Sequence, residues 1–534
     1  MWLKRLEIKN YKSIEDLTIN FTQGINVIFG ENGTGKTNII KAILKLLGPT
    51  YPGLKSFQKE DYFGLDESRD IIIKLIFDDD GNEISLEWNK DERGKWRLIL
   101  NQEDYIDDKN RERFCPLHIP PNREIKDLPG ASRWTPIGRI IYELSKMIET
   151  NQTVYSKFIN KMGECINILE NSPEFSQFKK GLERYSSEQI GRRGENINVR
   201  LGLIDHKNIL KTLQIFEMLG NEQYNLSEGG QGIQSNVTMA ALRAFSDVSG
   251  GRLFIIADEP EAYLHPLAQQ TLCKVFEQIA NSGTQIILTT HSPYFISSEH
   301  VSGLIRVWME NSRTQARNVD INKLMSMKRK RGIVDCTSEG TLARLGKILS
   351  LRIKEGLFAK TVVLCEGESE AFSLETWSEI GGYDLAKDGI AVVPSNGKFS
   401  MIDLAEWYQC LKIPVYLIFD SDGNKTQNRD SHAKHNRWLL EFANEDEIVD
   451  FPETKVGERY CVMSPNFESV LRKCDSDYET IESEINNELG LEPRRQKGIR
   501  AKHVAQRYKE EGKPMPSIIN KLLTAIYKYH KQYS

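Results

Sequence analysis

Apolar positions fall into short runs separated by polar turns, and the period of those runs changes along the chain. Residues 3–9 and 17–28 predict two strands of a small antiparallel unit. Ile25-Asn26-Val27-Ile28-Phe29, within the second, is β-branched and mostly apolar, as a buried strand requires. Residues 71–77, 83–88 and 96–100 predict further strands, with Asp79-Asp80-Gly81-Asn82 as a hairpin turn. Pro116 to Pro136 is irregular and proline-rich. From 137 to 185 the spacing turns helical with few breakers and predicts a helical insertion. A helix is predicted at 206–219 and another running to about Ser246. Apolar strands are predicted to end at Asp258-Glu259-Pro260 and at His291-Ser292-Pro293. The charged, weakly patterned stretch that follows predicts a linker at 311–355. A second alternation then places strands at 361–365, 389–394 and 414–419, spaced by helical stretches, which predicts a parallel sheet. The fold class expected is α/β, in two domains at 1–310 and 356–534.

Length agrees, because 534 residues exceed one ordinary core. Composition is that of a water-exposed globular chain, 39% hydrophobic and 27% charged with net charge −4. No apolar run reaches the ~18 residues of a membrane span, and Met1-Trp2-Leu3-Lys4-Arg5-Leu6 lacks the apolar core of a signal peptide. The eight cysteines are scattered without a C-x-x-C pair, which fits a reducing cytoplasm. Charge is unevenly spread. Residues 491–534 hold eleven Lys/Arg against three acids, a local charge of +8 that suits a polyanion partner. For the mid-chain run Lys328-Arg329-Lys330-Arg331 a solvated surface is the expected reading.

The chain's strongest chemical signal is Gly30-Glu31-Asn32-Gly33-Thr34-Gly35-Lys36-Thr37, a full G-x-x-x-x-G-K-[ST] loop between a strand and a helix. Asn32, Gly33 and Gly35 shape a backbone that turns N–H groups onto phosphate oxygens at a helix N-terminus. Lys36 is placed for the β- and γ-phosphates, and the Thr37 hydroxyl for Mg²⁺. Asp258 would hold the same ion through water, and Glu259 would polarise the attacking water. Ser227 and Gly229, in Ser227-Glu228-Gly229-Gly230-Gln231, form a second anion-binding end before a helix. His291 is a candidate contact of the γ-phosphate.

These residues carry a resemblance. Leu226–Gln231 resembles the signature motif of ABC-type ATPases, Asp258–Pro266 resembles their Walker B and D-loop as found in repair and defence ATPases, and His291 resembles their switch histidine. The resemblance implies ATP held between head-to-tail ATPase copies, hence a homodimer or larger homo-oligomer. Ser227 lies 191 positions after Lys36, and the stretch between lacks sustained heptads, so no long coiled-coil arms are expected.

The second alternation brings its own acids. Glu366, Glu368 and Glu370 follow one strand, and Asp420 and Asp422 follow another. Carboxylate oxygens suit Mg²⁺, Mn²⁺ or Ca²⁺, and two such ions can activate a water on a phosphodiester. A Glu at one strand end and Asp-x-Asp at another resemble a TOPRIM domain. An ABC-type ATPase followed by TOPRIM is similar to the overcoming lysogenization defect (OLD) family of nucleases. That resemblance implies Glu366 and Glu370 as the first acidic motif, Asp420 and Asp422 as the second, Glu468 as a later metal ligand and Lys513 as a late basic residue near the scissile phosphate. Gly397 and Lys398 match a glycine turn of the family loosely.

The reading expected from these features is an ATP-binding and ATP-hydrolysing, metal-dependent DNA endonuclease in anti-phage defence. The resemblance also implies an accompanying defence protein or a noncoding nucleic acid. The competing readings are a non-cleaving ATP-dependent DNA clamp or repair scaffold, and a toxin nuclease restrained by a partner.

Overall fold

The computed structural model describes residues 1–90, 94–102, 104–121, 135–190, 216–219, 222–225, 231–249, 254–334, 336–491 and 496–533. The chain divides into two compact units. Met1–Leu46, Pro52–Asp107 and Ile287–Ser534 make the first; Leu47–Tyr51 and Asp108–Ile286 make the second.

The first unit opens with an antiparallel sheet. Strand Trp2–Tyr11 pairs with Ile14–Asn20 on one side and Ile72–Asp79 on the other. The predicted hairpin through Asp79–Asn82 then leads to Asn82–Lys90, which pairs with Trp96–Leu100. One expected element is split. The run 17–28 is two strands, because the chain turns at Gly24 (φ 80°) and Ile25–Phe29 leaves for another sheet. There it pairs parallel with Leu304–Glu310, which pairs antiparallel with Arg313–Asn318. All five residues of Ile25–Phe29 are buried, as its apolar composition demands.

The stretch expected as a linker is structured. It contributes Arg313–Asn318 to the sheet and three helices, Ile321–Lys330, Ser338–Ile348 and Leu351–Glu355. The basic run at the end of the first of these is only half solvated: Arg329 and Lys330 are exposed. Lys328 and Arg331 are buried, and Arg331 donates to Asp403 at 2.8 Å and to Glu406 at 2.7 Å. Helix periodicity turns two of four consecutive cations inward, and a charge run alone cannot say which acids lie beneath it.

The rest of the unit is the predicted parallel sheet. Its order is Ile390–Pro394, Thr361–Cys365, Val415–Asp420, Tyr460–Met463, with Lys455–Val456 antiparallel at the edge. One buried core joins the sheet to the flanking helices through Trp377, Tyr416, Leu471, Tyr478, Tyr508 and Leu522. Apolar side chains on both faces of every central strand explain the near-continuous hydrophobic runs.

In the second unit Phe254–Asp258 pairs parallel with Leu117–Ile119. The helical insertion is three helices, Pro136–Thr150, Gln152–Glu170 and Pro173–Ile190, followed later by Gln231–Ser249 and Pro266–Asn281. The helix expected at 206–219 is corrected. Residues 216–219 form a strand hydrogen-bonded to Glu222–Asn225 in a short hairpin, while 206–215 lie outside the described residues.

Candidate functional site

The phosphate loop leaves the buried strand at Phe29 and enters the helix Lys36–Leu47. Gly35 sits at φ 99°, and a Cβ there would lie 2.1 Å from Thr314 Oγ1, so only glycine fits. Lys36 is buried and donates to the carbonyls of Gly30 at 2.9 Å and Glu31 at 2.7 Å, which holds the loop in a closed arc. Asn32 and Gly33 are exposed, and Thr37 is half-buried at the helix start. A small network from elsewhere in the chain supports the arc. Thr314 Oγ1 donates to Thr34 O at 2.9 Å and lies 2.7 Å from Ser13 Oγ, which in turn accepts from Asn38 Nδ2 at 2.8 Å. Ser13 and Thr314 gave no signal in the sequence, since their contribution depends on a partner about 300 residues away.

His291 follows the fully buried strand Gln285–Thr290. In the second unit Asp258 ends its strand with 5% exposure, and Glu259 follows at φ 45°. A non-glycine residue in the left-handed region costs backbone energy of order 1 kcal/mol or more and often marks a functional turn. Ser227 and Gly229 lie outside the described residues.

The acids of the parallel sheet converge. Thr361–Cys365 and Val415–Asp420 are hydrogen-bonded neighbours, so Glu366 and Asp420 emerge side by side at their carboxyl ends. The Asp420 N–H donates to Glu366 Oε2 at 3.0 Å, and Asp420 Oδ1 accepts from the Phe467 N–H at 2.9 Å. Asp422 turns back at φ 58°, its N–H bound to Pro465 O at 2.9 Å. Ligand oxygens of Glu366, Asp420 and Asp422 all lie within 4.8 Å of one another. Glu370 caps its own helix by accepting from the Gly367 N–H at 3.1 Å. Glu468, buried at the start of Phe467–Cys474, accepts from Ser369 Oγ at 3.1 Å. Thus Glu366, Asp420 and Asp422 converge, and Glu370 and Glu468 lie near enough for their charges to act on Asp420.

Their charges are not at ease together. Burial, reinforced by Glu370 and Glu366, pushes the Asp420 carboxyl well above its usual range. Burial raises Glu366 as well, and raises Glu370 to about 7. Carboxylates packed this way favour a bound cation over bare charge. The oxygen-only donor set and its spacing fit a hard divalent ion, with Glu366 and Asp420 at its centre and Glu370 and Glu468 close by.

Asp422 differs. Burial alone would raise it, but Lys398 and Lys425 hold it below the usual carboxylate range. Lys398 is 2% exposed, and its Nζ donates to Asp422 Oδ2 at 2.6 Å and to the Asp420 carbonyl. The Ser395–Gly397 turn aims it there. Gly397, at φ 113°, donates its N–H to Glu366 O at 2.8 Å. The sequence signal was weak: a Gly-Lys pair opening a helix after the strand beside Thr361–Cys365. Lys513 is held elsewhere, by Asp477 at 2.8 Å and Glu511 at 3.5 Å.

Internal partners absorb much of the C-terminal positive charge. Arg500 pairs with Glu482 at 3.1 Å, Arg507 with Glu488 at 2.7 Å and Lys509 with Glu379 at 2.6 Å. Lys502, Lys521, Lys528 and Lys531 stand exposed. Among the described residues no helix is long and apolar enough to cross a membrane.

Comparison with known proteins matches two stretches of the chain. Residues 2–316 match the RecF/RecN/SMC N-terminal domain, and residues 357–422 match the overcoming lysogenization defect protein-like TOPRIM domain. An OLD nuclease of Thermus scotoductus is 24% identical over 499 residues, covering 88% of this chain and 91% of that protein. The Old nuclease of Escherichia phage P2 is 24% identical over 463 residues, covering 79% and 77%. The DNA replication and repair protein RecF of Bacillus cytotoxicus is 24% identical over 246 residues, covering 43% and 62%. With an ATPase domain of the RecF/RecN/SMC type followed by a sheet that matches the OLD-like TOPRIM model, the chain belongs to the RecF/RecN/SMC N-terminal domain family.

Proposed function

We propose that the protein binds and hydrolyses ATP and cleaves DNA with a divalent metal ion at the TOPRIM carboxylates. The observation that carries this is the convergence of Glu366, Asp420 and Asp422 within 4.8 Å, with Glu370 and Glu468 beside them. A Mg²⁺ or Mn²⁺ ion there supplies an activated water and neutralises the leaving oxygen. Glu366 and Asp420 hold that ion, and Glu370 and Glu468 add charge to the same pocket. Lys513 reaches a scissile phosphate only by exchanging Asp477 for it.

In the ATPase domain the loop N–H groups of Gly33 and Gly35 cradle phosphate, Lys36 meets the β- and γ-phosphates, and Thr37 and Asp258 serve Mg²⁺. Glu259 and His291 act at the γ-phosphate, and Ser227 and Gly229 of a second copy complete the nucleotide site. ATP-driven pairing of two copies positions the TOPRIM domains on DNA. The exposed lysines of the C-terminal helices supply salt-sensitive phosphate contacts. The role we assign is anti-phage defence in the cytoplasm, matching the resemblance to OLD proteins.

The test is cleavage of supercoiled and linear DNA with Mg²⁺ or Mn²⁺, with and without ATP. Wild type is expected to cut, Asp420→Ala to be inactive with ATPase retained, and Lys36→Ala to lose ATPase and any ATP effect on cutting. Cutting that survives in Asp420→Ala would refute the site.

A further inference from the structure

Phe399 is 39% exposed, in the first turn of the helix Lys398–Cys410. A single exposed phenylalanine is ordinary, but the surroundings of this one are not. Its ring lies 5.2 Å from that of His432 and 4.7 Å from that of His435, centroid to centroid. His432 Nδ1 in turn lies 2.9 Å from Asp422 Oδ2, so one side chain separates the Phe399 ring from the carboxylates. His435 meets Trp438 edge-on at 4.9 Å. His432, His435 and Trp438 recur every three residues on the helix Arg429–Phe442, which sets their rings along one face. His432 is buried and the other two are half-buried, so Phe399 is the exposed end of a braced aromatic ladder.

Cations stand beside it. Lys425 Nζ, half exposed, lies 2.7 Å from Asp422 Oδ1, and Lys434, exposed on the helix of the histidines, lies 4.8 Å from the Trp438 ring centroid. Aromatic rings interleaved with basic groups suit a nucleic-acid strand whose bases are free: the cations meet phosphates and a base stacks on the ring. Within a duplex each base is covered on both faces by its neighbours, so the ring can take only a base that is unpaired or flipped out.

We propose, resting on the nuclease reading above, that Phe399 is a specificity-determining residue of this site and stacks one unpaired nucleobase of the DNA beside the metal-binding carboxylates. The preference that results is for structure rather than sequence, because every base has a π face. Single strands, flaps and frayed ends gain the contact, and closed duplex does not. The ring is already held by its neighbours, so little side-chain freedom is lost when the base arrives.

Two measurements test this. The first is kcat/KM with Mn²⁺ for a single-stranded oligonucleotide and for a covalently closed duplex. Phe399→Ala should lower the ratio of the two about tenfold, as loss of one base–aromatic stack requires. Phe399→Trp should keep the wild-type ratio. Phe399→Leu, apolar but without a π face, should behave as Phe399→Ala. The second is photocrosslinking, with Ca²⁺ present, of single strands carrying 5-iododeoxyuridine at successive positions, in which one position should crosslink to Phe399. An unchanged ratio in Phe399→Ala, a ratio kept by leucine, cutting confined to closed duplex, or no crosslink to Phe399 would overturn the inference, while cutting by wild type leaves the nuclease reading intact. A wild-type protein that cuts neither DNA would overturn both.

Discussion

The guanidinium of Arg306 donates to the backbone carbonyl of Lys412 at 2.8 Å. Arg306 lies on Leu304–Glu310, the strand beside that of the phosphate loop, whereas Lys412 precedes the strand that ends in Asp420. Arg306 also donates to Leu411 O at 3.1 Å and to Ala359 O at 3.4 Å, the latter just ahead of strand Thr361–Cys365, which leads into Glu366. Phe29, at the end of the phosphate-loop strand, meets Phe358 edge-on at 5.7 Å. The strand beside the phosphate loop thus abuts the start of the two strands whose far ends lead into Glu366 and Asp420. Burial pulls Arg306 down to about 10, so it stays charged at neutral pH.

Arg306→Ala should therefore do two things. Three backbone carbonyls, those of Leu411 and Ala359 buried, lose a charged donor, a loss of about 3 kcal/mol or more, seen as a lower Tm. Any effect of ATP on DNA cleavage should shrink while basal ATPase persists. Unchanged Tm and unchanged nucleotide dependence would show that Arg306 bridges nothing of consequence.

Thr314 clamps the phosphate loop from outside, so Thr314→Val should weaken ATP binding without touching a phosphate contact. Loss of about one hydrogen bond corresponds to roughly 1 kcal/mol, or about fivefold in Kd. Titration of a fluorescent ATP analogue checks it, and an unaltered Kd would mean that Lys36 alone fixes the loop.

The carboxylate cluster should make the metal-free protein pH-sensitive in a defined sense. Glu370 is raised from 4.5 to about 7 in the folded state. A raised acid favours folding below its unfolded value, and that contribution is lost as pH rises through the folded one. Glu370→Gln should therefore gain stability relative to wild type between about pH 4.5 and 7, and added Mn²⁺ should stabilise wild type above pH 7. Denaturant melts across that range, with and without Mn²⁺, measure both. A wild-type-to-Gln difference that is flat with pH would contradict the assigned strain.

Arg331 tests the basic run. Arg331→Met leaves Asp403 and Glu406 buried, with Arg344, 2.7 Å from Asp403, as the remaining guanidinium partner among the described residues. A destabilisation of about 3 kcal/mol is expected, as when one member of a buried charge cluster is removed. DNA affinity of the folded fraction should be unchanged. Neutralising Lys521, Lys528 and Lys531 together should instead lower DNA affinity and its salt dependence. Filter binding over a range of salt separates the two.

The sequence by itself determined the chemistry that depends on neighbours along the chain. The phosphate loop is eight consecutive residues between a strand and a helix, and Asp420 and Asp422 sit two apart at a strand end. Backbone geometry alone groups such residues, so spacing suffices to read them. Alternating apolar strands and helical stretches likewise carried the parallel sheet, because strands buried on both faces must be apolar throughout. Only the tertiary structure decided who neutralises whom. Thr314 meets Thr34 across 280 residues, Arg306 meets Leu411 across 105 and Arg331 meets Asp403 across 72. Lys398 and Asp422 are 24 apart on different strand connections, and it is strand order in the sheet that brings them together. A charged residue looks solvated in sequence until the fold supplies its partner, because the Coulomb energy that makes its burial tolerable depends on distance in space.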